Sequence, residues 1–336
     1  MDLGLHLNPL MKLRVAVVYG GRSGEHEISL RSAQSIRKAL DPERYKVIDY
    51  FISNEGKWRP RPIVPEPHGN PEIDVVFPVL HGTFGEDGTM QGLLELADLA
   101  YVGPGVLASS VAMDKAVFKR VMRESGLPVV ESVTMRADKL DPAAAIAALP
   151  FPMFVKPANL GSSVGISKVK DAAGLEIALA EAAKYDDKIV IERGIEGREF
   201  ECAVLGNLDP IASTPCEILP SREFYDYDDK YLLDAARIEL PAKLDAPQTA
   251  EMQRLAIECF RATGCEGMSR VDFLMERATG KLYINEINTI PGFTSISMYP
   301  KMWEYSGIPY PTLLNRLIEL AMERQMRRRA LRFTRE

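Results

Sequence analysis

Hydrophobic and polar positions along this chain fall into a few patterns, and each predicts its own element. Arg14 to Tyr19 (RVAVVY) and Val75 to Leu80 (VVFPVL) are short apolar runs. A strand buried on both faces, as in a parallel sheet, has this pattern. Tyr45 to Ile52 reads as a strand between them, and Tyr101 to Gly105 as a short strand and turn. Helices are expected from about Ser29 to Leu40, Thr89 to Ala97, Ser109 to Ser125, Asp141 to Leu149, Thr249 to Gly264 and Tyr310 to Arg324. Further strands are expected at Pro128 to Met135, Met153 to Lys156, Lys188 to Ile191, Phe200 to Leu205 and Pro210 to Cys216, the last two antiparallel. Strand, glycine-rich turn and helix in succession open a doubly wound α/β unit.

The turns carry chemistry. Gly20 to Glu27 (GGRSGEHE) is not G-x-G-x-x-G, so it does not point to a nicotinamide or flavin. A glycine-rich turn at a helix N-terminus ordinarily receives an anion. Glu25 and Glu27 suit a substrate ammonium instead, or they complement the helix dipole, and the turn alone leaves both readings open. His81 to Gly88 (HGTFGEDG) repeats the scheme. His81 ends a strand, where α/β folds bind ligands, although a structural histidine fits as well. Lys156 precedes Asn159 to Gly165 (NLGSSVG), a lysine beside amides and hydroxyls that suits phosphate. The order is not that of a P-loop, and an unliganded hairpin loop is the other reading. Lys115 reads by default as a solvated helical lysine. Ser53 to Asp74, with five prolines, reads as a surface loop, and Ser221 to Tyr231 (SREFYDYDDKY) as a loop of the kind that forms lids.

The densest chemistry lies between Arg270 and Met298. Asp272, Leu274 and Glu276 alternate with Val271, Phe273 and Met275, and Arg277 to Gly280 supplies a turn. Leu282, Ile284, Glu286 and Asn288 then share one face of the returning strand. A five-residue loop would set Asp272 opposite Glu286 and Arg270 opposite Asn288. Facing carboxylates repel, and a hard cation that takes Asp, Glu and Asn oxygens relieves the repulsion. A solvated hairpin edge is the alternative. Pro291 to Ser295 (PGFTS) follows, a composition that lets backbone approach a ligand closely.

Composition narrows the classes. The chain has 336 residues, enough for two or three domains. Its net charge of -6 provides no global basic field for nucleic acid, so a phosphate ligand needs a local Lys/Arg cluster. No apolar run approaches the roughly 18 residues of a membrane span. Met1 to Leu10 lacks the basic start and cleavage site of a signal peptide, and reads as a disordered extension or a misassigned start. Cys202, Cys216, Cys259 and Cys265 form no Cys-x-x-Cys pair and have no His at zinc spacing. They read as reduced, buried thiols of a cytoplasmic protein. Arg324, Arg327, Arg328, Arg329, Arg332 and Arg335 read as a solvated, frayed end.

Taken in order, GGRSGEHEISL at Gly20, HGTFGEDGTMQG at His81, MDK at Met113, VKPANLGSSVGISKV at Val155, FYDYDDKY at Phe224 and RVDF with INEINTIPGFTSISMYP from Arg270 resemble the D-alanine–D-alanine ligase family of ATP-grasp enzymes. The likeness runs from Met11 to about Arg324. It implies an N-terminal doubly wound parallel α/β domain followed by two α+β lobes clamping ATP. The boundaries expected are 1–10 for the extension, 11–106 for the substrate-binding domain, 107–194 for the central lobe, 195–325 for the C-terminal lobe with the metal site, and 326–336 for a basic tail.

The resemblance further implies that ATP phosphorylates the carboxylate of one D-alanine and that a second D-alanine's amine attacks the acyl phosphate. The dipeptide serves peptidoglycan precursor synthesis, and ADP and phosphate leave. Asp272, Glu286 and Asn288 would hold two Mg2+ or Mn2+, with Glu286 bridging. Lys115, Lys156 and Lys230 would contact phosphates under Ser162 and Ser163. Glu192 and the Val190 to Ile195 segment would receive adenine, and Glu199 the ribose. Glu25 would bind the first D-alanine's ammonium, with His81 near its carboxylate. Arg270 and the Gly292 amide would form an oxyanion hole. Ser297 and the Met298 backbone would take the second substrate's carboxylate, while Ser162 and Tyr231 link to Glu25 and close the lid. Tyr231 favours an amine acceptor, since relatives making the D-lactate ester differ there or in that loop. A homodimer through the first domain is implied, and K+ activation is left open.

Three other functions fit less of the pattern. One is a ligase of the same family with D-lactate or D-serine as acceptor. Another is an ATP-grasp ligase for other amino acids or peptides, against which Ser297 and Glu25 argue. The last is a nucleotide-binding regulator without turnover, in which Arg270, Asp272, Glu286 or Asn288 would be missing.

Overall fold

The apolar run Leu13–Gly20 becomes β1, the centre of a five-stranded sheet ordered β3-β2-β1-β4-β5. Its partners are β2 (Tyr45–Ile52), β3 (Trp58–Arg59), β4 (Val75–Pro78) and β5 (Ala100–Tyr101), all parallel except β3 against β2. Val15 and Val17 enter one core while Ala16 and Val18 enter another, so no position along the run tolerates a polar side chain. Helix α1 (His26–Ala39) supplies Ala33 and Ile36 to the first core, and α2 (Thr89–Leu96) supplies Met90 and Leu94 to the second. Strand order reverses at β1 and β4, so the loops after these strands face each other across a crevice where such sheets bind ligands. The structure is a computed structural model that describes residues 12–161, 164–219, 237–333 and 335. The extension 1–10, the loop 221–231, Ser162 and Ser163 lie outside these.

Helix α3 (Val106–Met113) and α4 (Lys115–Glu124) replace the single helix expected from Ser109 to Ser125. Asp114 breaks it: its backbone is extended and its side chain caps α4 by accepting from the Ala116 and Val117 amides. Lys115 therefore stands at a helix start rather than midway along one. A four-stranded antiparallel sheet follows, ordered β6-β9-β7-β8, from β6 (Ser132–Arg136), β7 (Met153–Pro157), β8 (Ser167–Val169) and β9 (Lys188–Arg193). Helices α5 (Pro142–Ala148) and α6 (Ala172–Ala182) cover the face formed by Met153, Val155, Ile189 and Ile191. The other face presents Lys156, Val190 and Glu192, with Val190 packed on Ala116 of α4. Sequence pattern missed α6, because an exposed Ile177 blurs its apolar stripe.

The third sheet is six-stranded and antiparallel, with β10 (Gly197–Gly206), β11 (Ile211–Ala212), β12 (Cys216–Leu219), β13 (Arg237–Glu239), β14 (Gly267–Glu276) and β15 (Leu282–Asn288). Phe200, Cys202, Val204, Val271 and Phe273 pack against α7 (Ala246–Ala262). On the opposite face, Ala203, Leu205 and Met268 join the first core beside Tyr299, Met302 and Trp303 of α8 (Met298–Tyr305) and residues of α9 (Tyr310–Arg329). Strand alternation then places Glu199, Glu201, Arg270 and Asp272 further along that same face.

Helix α9 runs past Arg324, so the expectation of a frayed, solvated end fails there. Arg324 is buried, bonds the carbonyls of Tyr101 and Gly103, and stacks 4.1 Å over the Tyr101 ring. Arg327, Arg328 and Arg329 pair with Glu266, Glu95 and Asp98. All four cysteines are buried and free. Among the described residues no helix is long and apolar enough to cross a membrane.

Candidate active site

The β14–β15 register decides where the carboxylates go. Asp272 lies opposite Glu286 and Arg270 opposite Asn288. The route to that register differs from the five-residue loop expected. Glu276 N–H donates to Lys281 O, so the loop is Arg277 to Gly280, and Met275, Leu274 and Phe273 pair with Leu282, Tyr283 and Ile284. A bulge at Asn285 then shifts the ladder between Phe273 and Asp272. Ile284 and Ile287, three apart, can therefore both enter the core under α7, and Glu286 and Asn288 turn to the other face. Leu282 and Ile284 thus do not share a face with Glu286 and Asn288.

This donor set fits a hard cation. Asn288 Oδ1 is buried without a hydrogen-bond partner, an orphan acceptor beside two facing carboxylates. Among the described residues no group of three or more His, Cys, Asp or Glu stands together, and the donors gathered here are two carboxylates and one amide oxygen. Arg270 occupies the same face. Its Nε and a terminal nitrogen donate to the two oxygens of Asp272, both at 2.6 Å, and Nε lies 3.4 Å from Glu201 Oε1. Burial opposes the guanidinium's charge, but Asp272, Glu201 and Glu286 outweigh it and raise its pKa well above the ordinary value. Sequence reading missed Glu201. Its one signal was alternation with Phe200 and Cys202, which reads as an ordinary strand.

On the second sheet, Glu192 sits between two lysines, Lys156 Nζ at 2.8 Å and Lys119 Nζ at 3.1 Å. Burial pushes its carboxyl up, but the two ammonium groups win and bring it down to about 2. Burial lowers Lys119, which is 1% exposed. Lys119 too was missed, because one lysine in an amphipathic helix looks solvated. Lys115 Nζ donates to Leu160 O at 2.5 Å, fixing its head beside the Gly/Ser loop. Ile195 lies half-buried in the link from β9 to β10, and Glu199 on β10.

The crevice of the first sheet meets this surface. Gly82 has φ +73°, and a Cβ there would lie 2.7 Å from Glu25 Oε2. One on Gly161 would lie 3.7 Å from the same oxygen, so Glu25 reaches the Gly/Ser loop. His81 is buried, with Nδ1 2.9 Å from Ile290 O and Nε2 3.1 Å from Ser32 Oγ. A carbonyl only accepts, so Nδ1 carries the proton and Nε2 accepts from the serine. Ser32 Oγ in turn accepts from Phe293 N–H at 3.2 Å. Burial lowers the His81 pKa and keeps the ring neutral. Both ring nitrogens thus hold the Ile290–Phe293 loop in place. Within it a Cβ on Gly292 would lie 2.6 Å from Ser297 Oγ, which accepts from Thr294 N–H and bonds the Thr294 hydroxyl. Ser297 is the N-cap residue of α8, but its side chain makes no capping bond to the helix. Ser162, Ser163, Lys230 and Tyr231 lie outside the described residues.

Two family models match the chain: "D-ala D-ala ligase N-terminus" over residues 14–70 and 63–104, and "D-ala D-ala ligase C-terminus" over 121–319. The chain is 65% identical over 325 residues to a D-alanine--D-alanine ligase of Solibacter usitatus, covering 97% of this chain and all of that one. It is 48% identical to a D-alanine--D-alanine ligase A of Bradyrhizobium diazoefficiens, covering 95% and 98%. Among solved structures, the D-alanine-D-alanine ligase from Coxiella burnetii superposes with TM-score 0.84 at 39% identity, covering 95% and 96%. A D-Ala:D-Ser ligase from Enterococcus faecalis superposes with TM-score 0.84 at 34% identity, covering 93% and 100%.

Proposed function

The chain belongs to the D-alanine–D-alanine ligase family, and we propose that it uses ATP to join two D-alanines in the cleft where its three sheets meet. The product is D-alanyl-D-alanine, made through an acyl phosphate for peptidoglycan precursors. The observation that carries this reading is the placement of Glu25 Oε2 against both Gly82 and Gly161, which brings an ammonium-binding carboxylate to the phosphate-type loop.

The roles then follow. Glu25 holds the ammonium of the first D-alanine, and the carboxylate of that D-alanine attacks the γ-phosphorus of ATP, breaking the bond to the β-phosphate and releasing ADP. Lys115 and Lys156 neutralise phosphate charge, with Lys230 as a third cation by sequence. Glu192 orients Lys156 and borders the adenine pocket with Ile195, and Glu199 takes the ribose. Asp272, Glu286 and Asn288 would hold two Mg2+ or Mn2+ ions, whose charge would offset that of the transferring phosphoryl group. The second D-alanine places its carboxylate at Ser297 and the Met298 N–H, the start of α8, where unpaired amides favour an anion. Its neutral amine attacks the acyl carbon, the C–O bond to phosphate breaks, the nitrogen's proton leaves with the departing phosphate, and Arg270 with the Gly292 N–H donates to the oxygen that gains charge. His81 serves the first subsite by holding the loop that carries Gly292. The enzyme works in the cytoplasm, as a homodimer.

The test is phosphate release from ATP and Mg2+ with D-alanine alone, L-alanine alone, or D-alanine with D-serine or D-lactate. Release with D-alanine alone and dipeptide by mass is expected. No release with D-alanine in any mixture would void the substrate assignment. Likeness to the Enterococcus faecalis enzyme makes D-serine the second acceptor to try. Tyr231→Phe is expected to raise D-lactate use relative to D-alanine, and an unchanged ratio would remove Tyr231 from acceptor choice.

A further inference from the structure

Arg270 and the metal ligands compete for one carboxylate. Both oxygens of Asp272 are taken by the guanidinium at 2.6 Å, yet Asp272 has to give at least one oxygen to a cation. A guanidinium released into a site this buried needs another anion at once. Glu201 is placed for that. It stands directly across from Asp272 on β10, its side chain is 9% exposed, and its Oε1 is already 3.4 Å from Arg270 Nε. Glu201, Asp272 and Glu286 form one row across β10, β14 and β15, so the guanidinium can pass from Asp272 to Glu201 by side-chain motion alone.

We propose that Glu201 is a positioning residue that retains Arg270 when metal claims Asp272, so that loading the metal site turns Arg270 into a donor free to face the reacting acyl group. The inference rests on the reading of Asp272 as a metal ligand and Arg270 as an oxyanion donor. Without Glu201, Arg270 has Asp272 as its main anion and holds it against the metal. Metal loading and turnover then suffer together, while the first D-alanine, bound at Glu25, is unaffected.

Two variants of the full chain separate position from charge. Glu201→Gln removes the anion. Glu201→Asp keeps the charge but withdraws it by one methylene, and it carries the test if Glu201→Gln does not fold. Two readouts are taken: Mn2+ binding in the presence of ADP, without turnover, and kcat beside KM for the first D-alanine. Both variants are expected to bind Mn2+ about tenfold more weakly and to lose about tenfold in kcat, as members of one ion-pair network do, with KM within about twofold. Glu201→Asp at wild-type levels in both readouts would mean that only the charge matters, and would overturn the proposal, as would a silent Glu201→Gln. Asp272→Asn is the control. If it binds Mn2+ as well as wild type, the metal reading itself fails, whatever the Glu201 variants do.

Discussion

Glu86 has an environment that sets its charge against its chemistry. Its Oε1 accepts from Gly82 N–H at 2.9 Å, its Oε2 is buried, and burial followed by the charge of Glu25 outweighs the backbone bonds from Gly82 and Ile290 and raises its carboxyl to about 8. The folded chain therefore keeps a proton that the unfolded chain releases near 4.5. That contribution to stability is complete below the unfolded value and is lost as pH rises through the folded one. The wild-type melting temperature is expected to fall from about pH 5 to about pH 9 more steeply than that of Glu86→Gln. Equal slopes would remove Glu86 as the cause. If Glu286 holds a metal as proposed, Glu286→Gln should cost more than about a hundredfold in turnover, beyond what loss of an outer-shell partner costs, with an unchanged melting curve. Near-wild-type activity would sink the ligand assignment. The juxtaposition of Asp272 with Glu286 and of Arg270 with Asn288 was legible in the sequence, because alternation and the turn set the register there, although alternation also put Leu282 and Ile284 on the same face, which the bulge at Asn285 overturns. Glu86, Lys119 and Glu201 were not, because their roles come from burial and from partners on other elements.

At the scale of elements, the β14–β15 hairpin and α9 each depend on one local irregularity or contact set. The register of the hairpin was readable, but its bulge at Asn285 was not, since four loop residues plus one bulged residue and five loop residues give the same final pairing. The first sheet was the most legible part, because strands buried on both faces leave unbroken apolar runs. The break between α3 and α4 was hidden because Val106 to Glu124 is helix-compatible throughout, and Asp114 marks a cap only once its amide partners are seen. The C-terminal arginines misled for the opposite reason: charge alone predicts solvent, whereas Arg324 is buried under three contacts to β5 and its following turn. Truncation after residue 323 removes these contacts, and is expected to cost about 3–5 kcal/mol in urea unfolding, the scale of losing a buried charged anchor. A loss under about 1 kcal/mol would show that the helix end is dispensable.

Across the whole molecule, three sheets contribute separate parts of one reaction. The first places Glu25 at its switch point, where the proposed function puts an ammonium, the second carries Glu192 and Lys156, joined by the buried Lys119 of α4, and the third a row of carboxylates with Arg270. No single sheet carries enough of the chemistry to act alone, which is why the resemblance across the whole chain was more informative than any one motif. The acyl phosphate is the step that needs all three together. D-alanine labelled with 18O in its carboxylate, turned over with ATP and Mg2+, tests it directly by mass spectrometry of the phosphate released. One 18O atom in each phosphate, accompanying dipeptide, is the expected result. Dipeptide formed with unlabelled phosphate would contradict transfer of the phosphoryl group to the first D-alanine.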